Sequence, residues 1–313
     1  MKVIVIGTGF GKYAAAPAYR ELGFDVDLVT PRDAAAVQRA LDTGADLVSV
    51  HSPPFLHVEH VGAAIDRGIA VLCDKPFGRN AAEAAVMRDR ALAAKVLHFL
   101  NFEFRLRPSW AELKRLADDG AIGTPTHLHW NWFGNGLRGR RYGWINDREL
   151  GGGWIGAYGS HLIDFTRWLF GSEVADCGGL TRIEDPQHPD REGRLYTATA
   201  EDAYTAWFRL ENGATAAHDT GFATAVASTP RAVLTGDAGS IELVADTKLV
   251  IRRPGAEPET IGFDTPPPRS PDPAVSGHLR QVADALRDGT QIAPSFDDGV
   301  AVAKVMDRLR NPT

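Results

Sequence analysis

The chain has 313 residues, of which 44% are hydrophobic, 9% aromatic and 24% charged. A length near twice that of an ordinary domain of ~150 residues predicts two domains, and the composition excludes a fibrous or globally disordered protein. Lys and Arg number 34 and Asp and Glu 40, a net charge of -6 that argues against a nucleic-acid partner.

Cysteine use and the first apolar run narrow the class of protein further. The two cysteines, Cys73 and Cys177, are too few for a disulfide framework and are not spaced as metal ligands. The opening run Val3–Ile6 is too short for a signal sequence or a membrane span. These features predict a cytoplasmic protein with no membrane partner.

The first part of the chain alternates short apolar runs with alanine-rich stretches, the pattern of a parallel sheet wrapped by helices. It predicts a doubly wound, dinucleotide-binding Rossmann domain over residues 1–119. Helices are predicted at Ala34–Asp42 and Ala81–Ala94. The predicted strands are mostly apolar throughout, as buried parallel strands are, and comprise Val3–Ile6, Val26–Val29, Leu47–Val50, Ala70–Cys73 and Val96–Leu100.

The pattern changes after Gly120, and residues 120–313 are predicted to form a second, α+β domain. Thr126–Phe133 alternates with period two, and Asn212-Gly213 between Ala203–Leu210 and Ala214–Asp219 predicts a hairpin with a type I′ turn. The Pro-rich run Asp264–Pro273 is predicted to be a linker. The remaining predictions are strands at Arg231–Thr235, Ile241–Val244 and Leu249–Ile251, and helices at Trp154–Phe170, Gly277–Arg287 and Asp297–Leu309.

A glycine-rich segment follows the first predicted strand and opens a helix, which is the context of a dinucleotide-binding fingerprint. Gly7 permits the tight turn, Gly9 lets the backbone approach a pyrophosphate, and the helix N-terminus offers N–H groups to the anion. Lys12 stands where the third glycine is usual, and Gly11 can take over that role. The alternative is a purely structural strand-to-helix turn.

The end of the second strand bears on the choice between NAD and NADP. An acidic residue there binds the ribose 2′-hydroxyl of NAD, but Val29 is followed by Thr30, Pro31 and Arg32. Thr30 and Arg32 can both donate to a 2′-phosphate, so NADP is the predicted cofactor and NAD the alternative. In the other interpretation Arg32 is simply solvated and Asp33 caps the next helix.

Several short motifs occur along the chain in a fixed order. They are Gly7–Gly11, Ser52–His57, Asp74–Pro76, Asn101–Arg105, Gly151–Gly153, His161–Asp164, and Asp202-Ala203 leading to Asn212–Ala214. In this order they resemble the motifs of the Gfo/Idh/MocA oxidoreductases, named for glucose-fructose oxidoreductase and inositol dehydrogenase, over essentially the whole chain. The resemblance implies a second domain built on a large, mostly antiparallel open sheet, whose exposed face makes a homodimer or homotetramer.

The resemblance also implies a catalytic lysine and a set of cofactor-binding residues. Lys75 matches the family lysine that contacts the reacting hydroxyl and the nicotinamide ribose, with Asp74 replacing the usual glutamate. Pro76 restricts Lys75 to an extended backbone at the carboxyl end of a strand, where ligands of such sheets bind. Together with the glycine segment and the end of the second strand, the resemblance predicts cofactor contacts from Gly7, Thr8, Gly9, Phe10, Gly11, Thr30, Arg32, Ser52, Pro53, Pro54, His57, Asp74, Lys75, Asn101 and Arg105.

His161 matches the family histidine that exchanges a proton with the substrate hydroxyl, a task suited to an imidazole. The family pattern has an aspartate four residues earlier, and here that position is Ala157. Asp164 can orient His161 instead, and Tyr158 can donate a proton, because i+3 and i−3 are neighbouring helix positions. The alternative for His161 is a packed core histidine.

Other groups of residues carry weaker hypotheses. Aromatic side chains bind sugar rings well, although most tryptophans in the chain are expected in the core. An arginine-rich loop can clamp an anionic substrate or be solvated. His127 and His129 share a strand face without a third ligand, so no metal site is predicted. The tryptophans are Trp130, Trp132, Trp144, Trp154 and Trp168, and the arginines Arg138, Arg140 and Arg141.

Together these features favour an NADP-preferring oxidoreductase that interconverts a secondary alcohol and a ketone on a sugar, cyclitol or related polar small molecule. One alternative is an enzyme that retains its cofactor and uses transient oxidation for elimination, epimerisation or bond cleavage. Another is a non-catalytic dinucleotide-binding regulator, for which Ala157 is the main argument. Fold alone does not distinguish them.

Overall fold

A computed structural model describes residues 1–264 and 272–311 of the protein. The predicted Pro-rich linker falls mainly on residues 265–271, outside the described residues. The helices are α1 (Ala16–Glu21), α2 (Ala34–Asp42), α3 (His57–Ile65), α4 (Ala81–Ala94), α5 (Pro108–Asp118), α6 (Ser160–Phe170), α7 (Pro273–Asp288) and α8 (Phe296–Arg310).

The strands form a parallel sheet, a larger mixed sheet and a separate two-stranded ribbon. They are β1 (Lys2–Ile6), β2 (Asp25–Val29), β3 (Leu47–Val50), β4 (Ala70–Cys73), β5 (His98–Leu100), β6 (Pro125–Phe133), β7 (Val174–Arg182), β8 (Gln187–Pro189), β9 (Leu195–Thr197), β10 (Ala203–Leu210), β11 (Thr215–Gly221), β12 (Arg231–Gly236), β13 (Gly239–Val244), β14 (Lys248–Arg252) and β15 (Glu259–Gly262).

The chain divides into two compact units, the first comprising Met1–Leu106 with Pro266–Lys304 and the second Arg107–Thr265 with Val305–Thr313. These units differ from a single boundary after residue 119, which stays a prediction about folding domains. The difference arises because apolar side chains of α7, among them Leu279 and Val282, lie in one buried cluster with β1 and α1. Burying that helix face against the parallel sheet outweighs its distance in sequence.

In the first unit the parallel strands are ordered β2-β1-β3-β4-β5. All pairs are parallel, and β1, β3 and β4 are almost wholly buried because helices cover both faces. The two strands that follow β1 in sequence, β2 and β3, pair with it on opposite sides. This switch point is where ligands bind in doubly wound folds, and the predicted Rossmann topology is confirmed.

In the second unit eight strands run in the order β15-β14-β13-β12-β6-β11-β10-β7. Every pair is antiparallel except β6 with β11. Side chains alternate between buried and exposed along β10, which is typical of a sheet covered on one face. The predicted mostly antiparallel sheet is confirmed, whereas β7, β8, β9 and β15 were not predicted.

The hairpin between β10 and β11 differs from the type I′ prediction, which is wrong. Gly213 has a φ of 89°, but Asn212 is not among the residues with positive φ. The N–H of Gly213 donates to Leu210 O at 3.0 Å, and that of Leu210 to Ala214 O at 2.8 Å. A three-residue loop with one left-handed glycine fits these bonds, because the Asn212 carboxamide caps Ala214 N–H instead of imposing a positive φ.

The start of two helices and the apolar character of all the described helices bear on function. Both predicted motif helices begin with a π-helical turn, at Gly11–Ala15 before α1 and at Ile155–Gly159 before α6. Such turns are frequent at functional sites. Within residues 1–264 and 272–311, no helix combines the length and apolar character needed to span a membrane.

Candidate functional site

The glycine loop after β1 packs closely against His51 at Gly7 and faces open space at Gly9. A Cβ on Gly7 would lie 2.7 Å from His51 O, so only glycine fits there, whereas a Cβ on Gly9 would meet nothing within 4 Å. In the described chain, the N–H groups of Gly9 and Phe10 donate no hydrogen bond to protein atoms. Thr8 is exposed, and the two N–H groups are open to a ligand; their contact with a pyrophosphate stays a prediction.

The loop after β2 places Thr30 and Arg32 in solvent. Asp33 is occupied elsewhere, because its Oδ1 accepts the Ala36 N–H at 2.9 Å as the N-cap of α2. Among the described residues, the Arg32 guanidinium has no hydrogen-bond or ion-pair partner. The helix-cap interpretation of Asp33 is confirmed, and Arg32 is left exposed to solvent and any ligand.

The segment after β3 is braced from beneath by two histidines. His57 is fully buried and its Nε2 donates to Ser52 O at 2.8 Å, while His60 Nδ1 lies 3.0 Å from Ser52 Oγ. Burial lowers the pKa of His57 to about 4, so the imidazole is neutral near pH 7. The structure therefore places His57 behind the loop; direct contact of Ser52, Pro53, Pro54 or His57 with a dinucleotide stays a prediction.

Asp74 fixes the backbone of Lys75 at the carboxyl end of β4. Its Oδ1 accepts the Lys75 N–H at 2.9 Å and the Asn101 amide at 3.3 Å, while Oδ2 accepts from His51 Nδ1 at 3.1 Å. Burial opposes ionisation, but the His51 hydrogen bond and nearby Lys75 hold the pKa of Asp74 below its usual value. Asp74 is therefore a carboxylate near neutral pH.

His51 is a site residue that sequence reasoning missed. Its Nε2 lies 2.8 Å from Ser49 Oγ, which in turn accepts from the Tyr19 hydroxyl at 3.1 Å. Its backbone and Cβ also fill the space beside Gly7, and its ring packs 5.3 Å from that of Phe10. The signal was its position directly after a buried parallel strand, on the edge where ligands bind.

Asn101 and Arg105 have partners within the first unit. Asn101 is buried and donates to Asp74, and Arg105 donates to Asp298 Oδ1 at 2.9 Å. Asn101 therefore supports the Lys75 loop, and Arg105 joins the turn at Glu103–Leu106 to Asp298 on α8. Their contact with the cofactor stays a prediction.

In the second unit the triple-glycine turn leads into the π-helical turn and then His161. A Cβ on Gly152 would lie 2.3 Å from Trp144 O, and Gly151 and Gly153 have φ of 77° and 105°. Each position therefore requires glycine for a steric or a backbone reason. His161 follows in the first turn of α6, with 2% of its surface exposed.

The two predicted helpers of His161 are both buried. Burial raises the pKa of Tyr158 well above its usual value, with the Asp246 charge adding to the effect, so the phenol stays protonated. Tyr158 can donate a hydrogen bond but cannot act as a base near neutral pH. Asp164 has 1% exposure and lies 3.7 Å from Arg167 Nη1, which makes it part of a charged helix face.

The tryptophans separate into core and partly exposed groups. Trp130 is buried and packs on Trp110, whereas Trp132 is partly exposed beside Phe222, with ring centroids 5.2 Å apart. Trp154 stacks on Phe222 at 4.3 Å and on Tyr158 at 4.9 Å. Trp144 and Trp168 are partly exposed. An aromatic wall of Trp132, Trp154, Tyr158 and Phe222 thus adjoins the π-helical turn.

The arginine loop and the histidine pair differ in what they contact. Arg138 donates to Ala223 O at 3.0 Å, so it is engaged with the backbone, while Arg140 and Arg141 are exposed. His127 Nδ1 lies 2.8 Å from Thr215 Oγ1. Among the described residues, no group of three or more His, Cys, Asp or Glu side chains is arranged to hold a metal ion.

Two family models match the chain in sequence order. Residues 1–102 match "Oxidoreductase family, NAD-binding Rossmann fold", and residues 110–242 match "GFO/IDH/MocA C-terminal domain". The parallel sheet with its open glycine loop and the large mixed sheet are the two parts these models describe. The chain belongs to the Gfo/Idh/MocA oxidoreductase family.

Individual relatives agree with this assignment. An uncharacterised oxidoreductase of Synechocystis is 30% identical over 233 residues, which are 68% of this chain and 63% of that protein. Inositol 2-dehydrogenase 1 of Saccharopolyspora erythraea is 26% identical over 300 residues, 96% of this chain and 81% of that one. A structure of levoglucosan dehydrogenase with NADH and L-sorbose has the same fold, with a TM-score of 0.85, 21% identity, and coverage of 99% and 96%.

Proposed function

We propose that the protein is an NAD(P)-dependent oxidoreductase that interconverts a secondary alcohol and a ketone on a sugar, cyclitol or related polar molecule. One observation carries the proposal: the open glycine loop and the Lys75 loop lie at the carboxyl edge of one parallel sheet, and His51 contacts both. The relative named inositol 2-dehydrogenase, which matches 96% of the chain, supports the substrate class.

The cofactor would be held by the N–H groups of the glycine loop, with Thr8 and Phe10 beside them. When bound, a nicotinamide dinucleotide supplies a ring that accepts or donates hydride. A pyrophosphate would approach the loop at Gly9, where the space is open, because His51 fills the space beside Gly7.

Lys75 is the first candidate for handling the hydroxyl proton. An ammonium group can donate a hydrogen bond to the substrate oxygen and stabilise charge on it, and it can exchange a proton there. Its backbone is fixed by Asp74, whose second oxygen is fixed by His51. His161 is the second candidate for handling the hydroxyl proton. Beside it, Tyr158 can only donate a hydrogen bond, and Asp164 would orient the His161 imidazole.

We propose NADP as the preferred cofactor, because Arg32 is exposed and Asp33 is used as a helix cap. Replacing Arg32 with alanine is expected to weaken NADPH binding about tenfold, the scale of one charge-assisted contact of ~1.5 kcal/mol, and NADH binding much less. Exposed Arg39→Ala, on α2, is the control. Equal losses for both cofactors would refute the 2′-phosphate contact.

The partly exposed Trp132 and Phe222 support a carbohydrate-like substrate, because aromatic faces pack well on the C–H faces of sugar rings. Arg138 is engaged with a backbone carbonyl, so the structure offers only Arg140 and Arg141 from the predicted anion clamp. A neutral polyol or keto-sugar is therefore the substrate class to screen first.

A homodimer or homotetramer built on the open sheet face is also proposed. Trp207 and Leu180, on neighbouring strands and the same face, are 50% and 74% exposed. Apolar side chains of this size on a sheet face favour burial against another copy. Light scattering after size exclusion should show a dimer or tetramer for the natural chain and a smaller species for Trp207→Glu.

The deciding experiment titrates the purified protein with NADPH and NADH, following nicotinamide fluorescence, with mass spectrometry of the denatured protein for retained cofactor. Reversible binding followed by turnover of a polyol or ketone supports the proposal. Retained cofactor favours transient oxidation, and binding without turnover favours a regulator, the candidate that Ala157 supports. No binding refutes all three. A cytoplasmic location stays a prediction from composition.

A further inference from the structure

The triple-glycine turn before His161 is held by a buried ion pair whose two members lie far from it in sequence. Arg310 Nη2 donates to Gly152 O at 2.6 Å and to Glu201 Oε1 at 2.7 Å. The same Glu201 oxygen accepts the Ile155 N–H at 3.2 Å. Both charged side chains are 5% exposed.

A second contact joins the same two segments in the opposite direction. Arg148, just before the turn, donates from Nη2 to Arg310 O at 2.7 Å and to Asn311 Oδ1 at 2.9 Å. The Glu201 carbonyl also accepts the Trp154 N–H at 2.7 Å. The last turn of α8 and the segment just before β10 therefore hold the turn through both backbone and side-chain hydrogen bonds.

The partners of the ion pair suggest specificity rather than added stability. A buried ion pair often contributes little net free energy, because desolvating both charges offsets their attraction. Here, however, the pair satisfies a carbonyl of the turn and the first N–H of the π-helical turn, groups that have no partner within a helix. A Cβ on Gly153 would lie 2.3 Å from Glu201 Oε1, so turn and carboxylate fit only in this arrangement.

We propose that Glu201 and Arg310 are positioning residues that fix the glycine turn and thereby set the orientation of His161 for proton transfer. The inference rests on the proposed oxidoreductase function. Neither residue matches a catalytic motif, and both act through the turn rather than on substrate.

The test compares Arg310→Lys with Arg308→Lys. Arg308 lies on the same helix and donates to the carbonyls of Val174 and Ala175, away from the turn. A lysine at 310 keeps the charge but cannot donate to Gly152 and Glu201 with the same fork. We expect kcat to fall ten- to a hundredfold in Arg310→Lys, the scale of a small misplacement, with NADPH affinity within about twofold of the natural protein. Arg308→Lys should leave kcat unchanged.

Hydrogen exchange of the peptide covering residues 151–161 gives a readout independent of turnover. Exchange there should accelerate in Arg310→Lys and in Glu201→Gln but not in Arg308→Lys. Unchanged kcat and exchange in Arg310→Lys, or equal effects of the two arginine variants, would overturn the proposal. If the natural protein turns over no substrate, the proposed function fails, and the exchange result alone decides whether the pair fixes the turn.

Discussion

The Lys75 loop and the His161 turn are built by different physical means. Around Lys75, side-chain hydrogen bonds among His51, Asp74 and Asn101 fix a loop between strands that parallel pairing already aligns. Around His161, glycine geometry, a π-helical turn and distant side chains fix the backbone. In the first arrangement Asp74 stands where the family pattern has Glu, and its Oδ2 accepts a hydrogen bond from His51 Nδ1. The second has Ala157 where the family pattern has Asp, and its backbone is held by the ion pair of Glu201 and Arg310.

We expect the greatest loss of kcat when Lys75 is replaced. Lys75→Ala removes the charged donor, so kcat should fall about 10²- to 10⁴-fold, the contribution typical of a proton-handling group. Cofactor affinity should change little, since the glycine loop is intact. Steady-state kinetics and fluorescence titration measure both. Lys304→Ala, exposed on α8, is the control, and full activity of Lys75→Ala would remove Lys75 from the mechanism.

The role of His161 can be tested by placing at position 157 the aspartate that the family pattern has there. Ala157→Asp places a carboxylate four residues before His161, where it would favour the imidazolium and shift the acidic limb of the kcat/KM profile upward by about one pH unit. His161→Ala should abolish that limb and lower kcat by at least about 10²-fold. A profile unchanged by Ala157→Asp would show that the π-helical turn directs position 157 away from His161.

The connection between the glycine loop and Lys75 is tested at His51. His51→Ala leaves Asp74 without its imidazole donor, so kcat should fall about tenfold, equivalent to ~1.4 kcal/mol, with a smaller loss of cofactor affinity. His51→Asn, whose amide can donate from a similar position, should recover part of kcat. Equal losses in both variants would indicate that only the bulk of His51 matters.

We expect the smallest change in the pH dependence of stability, which depends on one buried histidine in each unit. Burial lowers the pKa of His57 to about 4 and that of His218 to about 3, so each stays neutral in the fold while the unfolded form titrates near 6.5. The unfolded state therefore binds more protons below pH 6.5, and stability falls as the pH drops from about 6.5 toward 4.

Calorimetry between pH 7 and pH 4.5 measures that loss. His57→Gln and His218→Gln should each flatten the decline in Tm with falling pH, whatever their effect at pH 7. Exposed His129→Gln is the control for His57→Gln. A slope unaltered by either substitution would contradict neutral burial of these side chains.

Much of the first unit could be predicted from sequence because its signals are local. Two strands and two helices have the bounds that the sequence predicts, because apolar runs and caps such as Asn80 mark their ends directly. They are Leu47–Val50, Ala70–Cys73, Ala34–Asp42 and Ala81–Ala94. The edge strand β7 was not predicted, because its exposed residues carry little apolar alternation and its pairing with β10 is decided across the sheet.

The glycine loop, the position of Lys75 at a strand end and the family could be predicted from local patterns, because motif spacing and periodicity are properties of neighbouring residues. Three contacts follow from the folded chain alone: His51 bonds Asp74, α7 packs with the parallel strands, and Arg310 donates to Gly152. The two hydrogen bonds join residues 23 and 158 positions apart, and the packing of α7 joins residues still farther apart in sequence. They depend on burial and on satisfying polar groups in three dimensions, which no local pattern records.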